Sequence, residues 1–130
     1  MEERIRYIFR KPRFPLLLDT GIKLLALRST KECEARLPPL ALTGAPRPVI
    51  DAAAEGFAFY PDLGAITPLT LKKDWTKAEV VALYHARKHP SAPVYTRSLS
   101  SRKLSAVVSD IVALIMADRP ANHVLLQEHE

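Results

Sequence analysis

The chain has 130 residues, of which 48% are hydrophobic and 25% are charged, and its formal net charge is +5. Such a composition is typical of one soluble globular domain and excludes a collagen-like, a disulfide-stapled or a wholly disordered chain. The excess of basic residues favours contact with polyanions but specifies none of them. Because the apolar stretches are too short for a bilayer span and the first residues lack a signal-peptide pattern, we expect a cytoplasmic protein that does not enter a membrane.

The first strand is predicted at residues 4–10, where apolar and basic residues alternate. Ile5, Tyr7 and Phe9 fall on one face of such a strand, and the arginines between them fall on the other. Ile8 interrupts the alternation. We therefore expect a strand with one apolar and one basic face.

Two apolar runs, residues 14–18 and 22–27, predict a β-hairpin. Asp19-Thr20-Gly21 separates them, and Gly21 can supply the positive φ that a three-residue loop requires. Apolar side chains occur on both faces of this hairpin, so we expect each face to be covered by the same chain, a second copy or a protein partner. Further strands are predicted at residues 49–50, 57–60 and 65–66, with a turn at 61–64.

Two helices are predicted from capping boxes, in which a hydroxyl side chain and a glutamate three residues later each accept a hydrogen bond from the backbone amide of the other residue. Ser29 with Glu32 predicts a short helix near residues 30–37. The run from Thr76 to Glu79 predicts a second helix at residues 76–88.

The longest helix is predicted at residues 101–118. One of the serines between Ser98 and Ser101 is expected to cap its start. Apolar residues recur along it at helical spacing and predict a stripe that packs on the sheet: Leu104, Val107, Val108, Ile111, Val112 and Ile115.

These elements predict an α+β protein with a single domain. A mainly antiparallel β-sheet from the N-terminal half would be covered by the two C-terminal helices and the short helix. We expect residues 1–120 to form the domain and residues 121–130 to form a flexible tail. The sequence contains no internal repeat.

The sequence offers no motif for a cofactor, a metal ion or a catalytic group. Its four glycines are too far apart for a dinucleotide-binding fingerprint. His85 and His89 have the helical spacing of metal ligands, but Arg87 and Lys88 would place cations beside the site. Cys33 is the only cysteine, and we expect a buried, inert thiol. Five carboxylates could serve in acid–base chemistry, although each also fits a turn or a pre-helix position: Asp19, Asp51, Glu55, Asp62 and Asp74.

Three classes of function remain open. The leading prediction is a small non-enzymatic binding or accessory module that contacts a protein partner or a second copy through the hairpin at residues 14–27. The alternative is a nucleic-acid-binding protein, and the third class is an enzyme with an unrecognised active site. The residues predicted to contact a polyanion lie near the N-terminus and at the start of the last helix: Arg4, Arg6, Arg10, Arg97, Arg102 and Lys103. Other cations extend the first cluster or form a third one: Lys11 and Arg13, and Lys72, Lys73 and Lys77.

Overall fold

Residues 5–69 and 74–117 are described by a computed structural model, in which they form one sheet and three α-helices. The strands are β1 (Arg6–Tyr7), β2 (Leu16–Asp19), β3 (Leu24–Leu27), β4 (Arg47–Ile50), β5 (Gly56–Tyr60) and β6 (Ala65–Pro68). The helices are α1 (Thr30–Arg36), α2 (Lys77–Arg87) and α3 (Leu104–Ala117), with a 3₁₀ turn at Pro38–Leu40. The predicted α+β class is confirmed.

The six strands lie in the order β1-β6-β5-β4-β2-β3. Among the described strands, β1 and β6 run parallel, and all other neighbours are antiparallel, as predicted. We name the two ends of this sheet by their turns. The Asp51 end carries residues 51–55, which join β4 to β5, and the hairpin end carries the turn between β2 and β3.

The predicted hairpin is formed by β2 and β3, with a longer loop than expected. Asp19 pairs with Leu24, so the loop comprises the four residues 20–23 and the expected three-residue loop is wrong. Gly21 has the expected positive φ, +95°, and its amide donates a hydrogen bond to the Asp19 carboxylate at 2.8 Å. Because strand pairing ends at Leu24, Ile22 lies in the loop and is 85% exposed.

Both faces of the hairpin are covered by helices of the same chain. On one face, Leu17, Leu24 and Ala26 join a core with the apolar residues of α2 and α3. On the other face, four leucines join a second core that includes Cys33 of α1: Leu16, Leu18, Leu25 and Leu27. The apolar faces on which an interface through residues 14–27 was predicted therefore lie in the interior.

The predicted capping boxes start α1 and α2, one in part and one in full. The Ser29 hydroxyl accepts a hydrogen bond from the Glu32 amide, but the Glu32 carboxylate accepts from the amide and guanidinium of Arg28 instead of from the Ser29 amide. Glu32 pairs with Arg28 and not with the Ser29 amide because hydrogen bonds between charged groups are stronger than those to a neutral amide. At α2, Thr76 and Glu79 make both bonds of the box.

The start of α3 differs from the prediction. The helix begins at Leu104, so Lys103 and not a serine holds the cap position, and the Lys103 carbonyl accepts a hydrogen bond from the Val107 amide at 3.0 Å. The apolar stripe is confirmed, with four residues buried: Val107, Val108, Ile111 and Val112. The predicted end at residue 118 and the tail at 121–130 lie outside the described residues.

The first strand is shorter than predicted. Arg6 and Tyr7 pair with β6, and the Ile8 amide makes the next bond, to the Ile66 carbonyl at 3.0 Å. The chain then turns at Phe9, whose φ is +72°. Phe9 therefore leaves the apolar face on which the alternation placed it.

Both α1 and α2 begin at the Asp51 end. α1 follows β3, whose last residue, Leu27, pairs with the first residue of β2 at that end. Just before α2, the Trp75 amide donates a hydrogen bond to the Ala54 carbonyl at 2.8 Å. The last residue of α2, Arg87, lies at the hairpin end, where its guanidinium pairs with Asp19 at 2.8 Å.

The third helix begins at the same end. The ammonium group of Lys77, in the first turn of α2, donates hydrogen bonds to the carbonyls of Leu99 and, at 3.0 Å, Arg102. Residues 88–103, the connector between α2 and α3, therefore run back from the hairpin end to the Asp51 end, where α3 starts.

The carboxylate of Asp51 organises the loops at its end of the sheet. Asp51 is 1% exposed and accepts hydrogen bonds from the backbone amides of Arg13 at 3.1 Å, Ala53 at 2.9 Å and Glu55 at 2.9 Å. The Arg13 bond ties the loop between β1 and β2 to the 51–55 turn. One buried side chain thus positions two loops.

We expect Asp51→Asn to lower the free energy of unfolding by about 2–3 kcal/mol, because its amide group would face a backbone donor where a carboxylate oxygen now accepts. Equilibrium denaturation measures the change. Asp62→Asn is the matched control: Asp62 is exposed in the 61–64 turn, and its replacement should shift stability by less than about 0.5 kcal/mol. Equal stability of the two variants would contradict the role of Asp51.

Candidate polyanion-binding surface

The loop between β1 and β2, residues 8–15, presents an aromatic ring to solvent. Phe9 is 91% exposed, and its backbone has a φ of +72°. This conformation is an outlier for a bulky residue and costs on the order of 1–3 kcal/mol. The ring gains little burial in return. A strained and exposed aromatic residue is a candidate contact residue, and we call residues 8–15 the Phe9 loop.

Cations follow Phe9 directly in the loop. The Lys11 ammonium lies 5.7 Å from the centre of the Tyr7 ring and 5.8 Å from that of the Phe14 ring, within cation–π range. Arg13 is exposed, and its backbone is fixed by Asp51. The ring contacts thus position the Lys11 ammonium, and the hydrogen bond to Asp51 positions the backbone of Arg13.

Arg10 is the most strongly paired cation of the Phe9 loop. Its guanidinium forms an ion pair with Glu55, and the guanidinium carbon lies 5.2 Å from the centre of the Phe57 ring. Glu55 offsets the charge of Arg10 but not the charges of Lys11 and Arg13. The loop therefore keeps a net positive charge.

A second group of charges lies where the connector meets α3. Asp110 accepts hydrogen bonds from the Tyr95 hydroxyl at 2.7 Å and from the Arg102 guanidinium at 2.9 Å, and the Arg97 guanidinium lies 3.9 Å away. The hydrogen bond to Asp110 raises the pKa of Arg102, and burial together with the Asp110 carboxylate raises the pKa of Tyr95. We call these four residues the Asp110 cluster; Lys103 beside it is exposed.

A series of contacts connects the Phe9 loop to the Asp110 cluster. Arg10 pairs with Glu55, and Glu55 forms a β-bridge with Asp74, shortly before α2. In the first turn of α2, Lys77 hydrogen-bonds to the Arg102 carbonyl. Both groups of cations therefore lie at the Asp51 end.

The structure separates the predicted polyanion-binding residues into two sets. Arg6 donates to the Leu63 carbonyl at 3.3 Å, in the turn at the hairpin end, away from the Phe9 loop. Arg4 and the lysine pair at 72–73 lie outside the described residues. Arg10, Arg102 and Lys103 lie at the Asp51 end, and Arg97 lies in the connector with its guanidinium 3.9 Å from Asp110.

The residues considered for catalysis or metal binding have other partners. Asp19 pairs with Arg87, and Asp51 accepts only backbone amides among its described hydrogen bonds. His85 accepts a hydrogen bond from the Tyr95 amide at 2.9 Å, and His89 hydrogen-bonds to Ser91 at 2.6 Å. Within residues 5–69 and 74–117, no three His, Cys, Asp or Glu side chains converge as metal ligands would.

A cavity of about 200 Å³ lies between the 3₁₀ turn and the hairpin-end residues of the sheet. This volume is below the roughly 300–1,000 Å³ of typical small-molecule sites. The residues that line it carry no charged or hydrogen-bonding side chain: Ile5, Leu37, Pro38, Ala41, Leu42, Phe59, Pro61 and Gly64. The cavity therefore lacks the convergent polar side chains that orient a ligand.

Comparison with known proteins gives no relative, since no family model, curated protein or solved structure matches this chain. In the part of the chain that the structure describes, no helix is long and apolar enough to cross a bilayer. The chemistry of the surface itself is therefore the guide to function.

Sequence reasoning missed two residues of this surface, Phe9 and Asp110. The alternation of residues 4–10 placed Phe9 in the interior, although the interruption at Ile8 marked the point where the strand ends. Asp110 lies off the predicted apolar stripe of α3, and its pairing with Arg102 depends on the path of the connector, which no local pattern reveals.

Cys33 is fully buried in α1, as expected. Burial, reinforced by the carboxylates of Glu32 and Glu34, raises the pKa of its thiol to about 12. Because the thiolate is the reactive form, the folded protein offers no nucleophile here at neutral pH.

We expect native protein to remain unmodified by iodoacetamide at about pH 8, where an ordinary exposed cysteine reacts. The same treatment in denaturant should add one alkyl group, which intact mass spectrometry detects. Labelling of native protein as fast as denatured protein would show that the thiol is neither buried nor protonated.

Proposed function

We propose that this chain binds single-stranded nucleic acid through the Phe9 loop and the neighbouring cations of the Asp51 end. The observation that carries the proposal is the strained, 91% exposed ring of Phe9 followed by Arg10, Lys11 and Arg13. Proteins that hold single strands combine aromatic rings, on which bases stack, with cations that follow the phosphates. The Phe9 loop has both components.

A single strand fits this surface better than a duplex does. Stacking on Phe9 requires an unpaired base, because bases within a duplex already stack on each other. A helix-turn-helix reader would need a short turn between α2 and α3, whereas residues 88–103 return along the sheet. The geometry offers one exposed ring in a basic loop instead of a recognition helix.

The leading prediction from the sequence was an interface through the hairpin at residues 14–27. That interface needs apolar faces left exposed, and all residues of β2 and β3 are buried under the chain's own helices. The basic surface at the Asp51 end has no comparable cover among the described residues. We therefore place the binding activity there, without a catalytic step.

We expect Phe9→Ala to weaken binding of a mixed-sequence single strand by about fivefold to a hundredfold, because stacking on an aromatic ring is worth about 1–3 kcal/mol per base. Fluorescence anisotropy measures the dissociation constant. Ile22→Ala is the matched control, since Ile22 is also an exposed apolar residue but lies at the hairpin end. An equal effect of both variants, or equal affinity for the matching duplex, would refute stacking on Phe9.

The cations should act through the phosphates. Lys11→Gln and Arg13→Gln should each weaken binding about fivefold at about 0.1 M salt and reduce the slope of log affinity against log salt by about 0.7. Lys23→Gln, at the hairpin end, controls for net charge. Failure of the wild-type protein to bind single strands at low salt would overturn the proposed function.

A further inference from the structure

The Asp110 cluster places a carboxylate where a polyanion would meet two arginines. Asp110 is held on α3 with its side chain 17% exposed, and the Arg102 side chain is 29% exposed. The nearest ion-pair distance between them is 2.7 Å. Arg102 thus has a counterion within the protein before any ligand arrives.

From this arrangement we infer that Asp110 masks a second nucleic-acid contact, centred on Arg102, at the same end of the sheet as the Phe9 loop. The inference rests on the proposed function. Lys77 joins the start of α2 to the Arg102 carbonyl, so Arg102 and Lys103 lie at the same end of the sheet as the Phe9 loop, on the side covered by α2 and α3. Lys103 is exposed, whereas Arg102 is neutralised by Asp110.

A hydrogen bond from the Tyr95 hydroxyl helps to keep the Asp110 carboxylate beside Arg102. It donates to the same carboxylate at 2.7 Å, so Asp110 holds the connector against α3 through two residues, Tyr95 and Arg102. A phosphate can replace Asp110 as the partner of Arg102 only in competition with this carboxylate. Asp110 therefore acts as a positioning residue that lowers affinity while it fixes the connector.

Asp110→Asn tests the inference, because an asparagine oxygen can still accept the Tyr95 hydroxyl while the negative charge is lost. The probe is a mixed-sequence single-stranded oligonucleotide, followed by anisotropy over a range of salt concentrations. We expect affinity to rise about fivefold at about 0.1 M salt, and the salt slope to steepen by about 0.7, as one additional phosphate contact would give.

Two further variants separate the mask from simpler effects. Asp62→Asn makes the same change in net charge at the hairpin end and should alter affinity less than about twofold, since charges beyond a Debye length are screened. The double variant Asp110→Asn with Arg102→Gln replaces the pair by neutral groups and should return affinity to within about twofold of wild type, because the added contact is gone.

The outcomes distinguish the two proposals. If wild type binds and Asp110→Asn binds no more tightly, the mask is wrong while the site at the Phe9 loop stands. If the double variant falls well below wild type, Arg102 already contacts the strand, and the mask is likewise wrong. If neither wild type nor Asp110→Asn binds, both the mask and the proposed function fail. Binding by Asp110→Asn alone would overturn the proposed site at the Phe9 loop, and the inference that rests on it would fail with it.

Discussion

The fold depends on a hairpin that is apolar on both faces. All residues of β2 and β3 are buried, so this pair of strands is stable only if both faces are covered at the same time. The chain meets this requirement by placing α1 on one face and α2 with α3 on the other. Because β2 also pairs with β4, the hairpin connects these helices to the rest of the sheet. The helices are thereby fixed relative to the loops that carry the cations.

The position of the candidate surface follows from this arrangement and from one buried carboxylate. Covering the hairpin brings the starts of α2 and α3 to the Asp51 end, and Asp51 binds the Phe9 loop to the same end through the Arg13 amide. The loop holds its exposed ring on a strained backbone, since Phe9 has a φ of +72°. Strain in a well-anchored loop is a common sign that a side chain is held out for contact rather than for stability.

Much of the fold was readable from the sequence because its signals are local. The capping residues Ser29 and Thr76 and the apolar stripe of α3 each depend on neighbours along the chain, and each was found correctly. The order of the strands and the counterions of the arginines were not predicted, because both depend on contacts between distant segments. Phe9 shows the same limit: alternation predicts its direction in a strand, but the end of pairing at Ile8 changes it. The sequence thus identified the cations. Only the tertiary structure shows that Lys11 lies beside aromatic rings, whereas Arg102 is paired with a carboxylate.

The common direction of the helices has an electrical consequence. Peptide dipoles along α2 and α3 add so that the positive end of each helix faces the Asp51 end, where the side-chain cations also lie. In the described part of the chain, the helix dipoles and the side-chain cations therefore concentrate positive charge at the same end of the sheet. For the proposed function, the field of a polyanion would exert a torque as well as an attraction and would turn the Phe9 loop towards the ligand before contact. Added salt would shorten the range of this field and weaken the orientation. The association rate and the affinity would then both fall as the ionic strength rises.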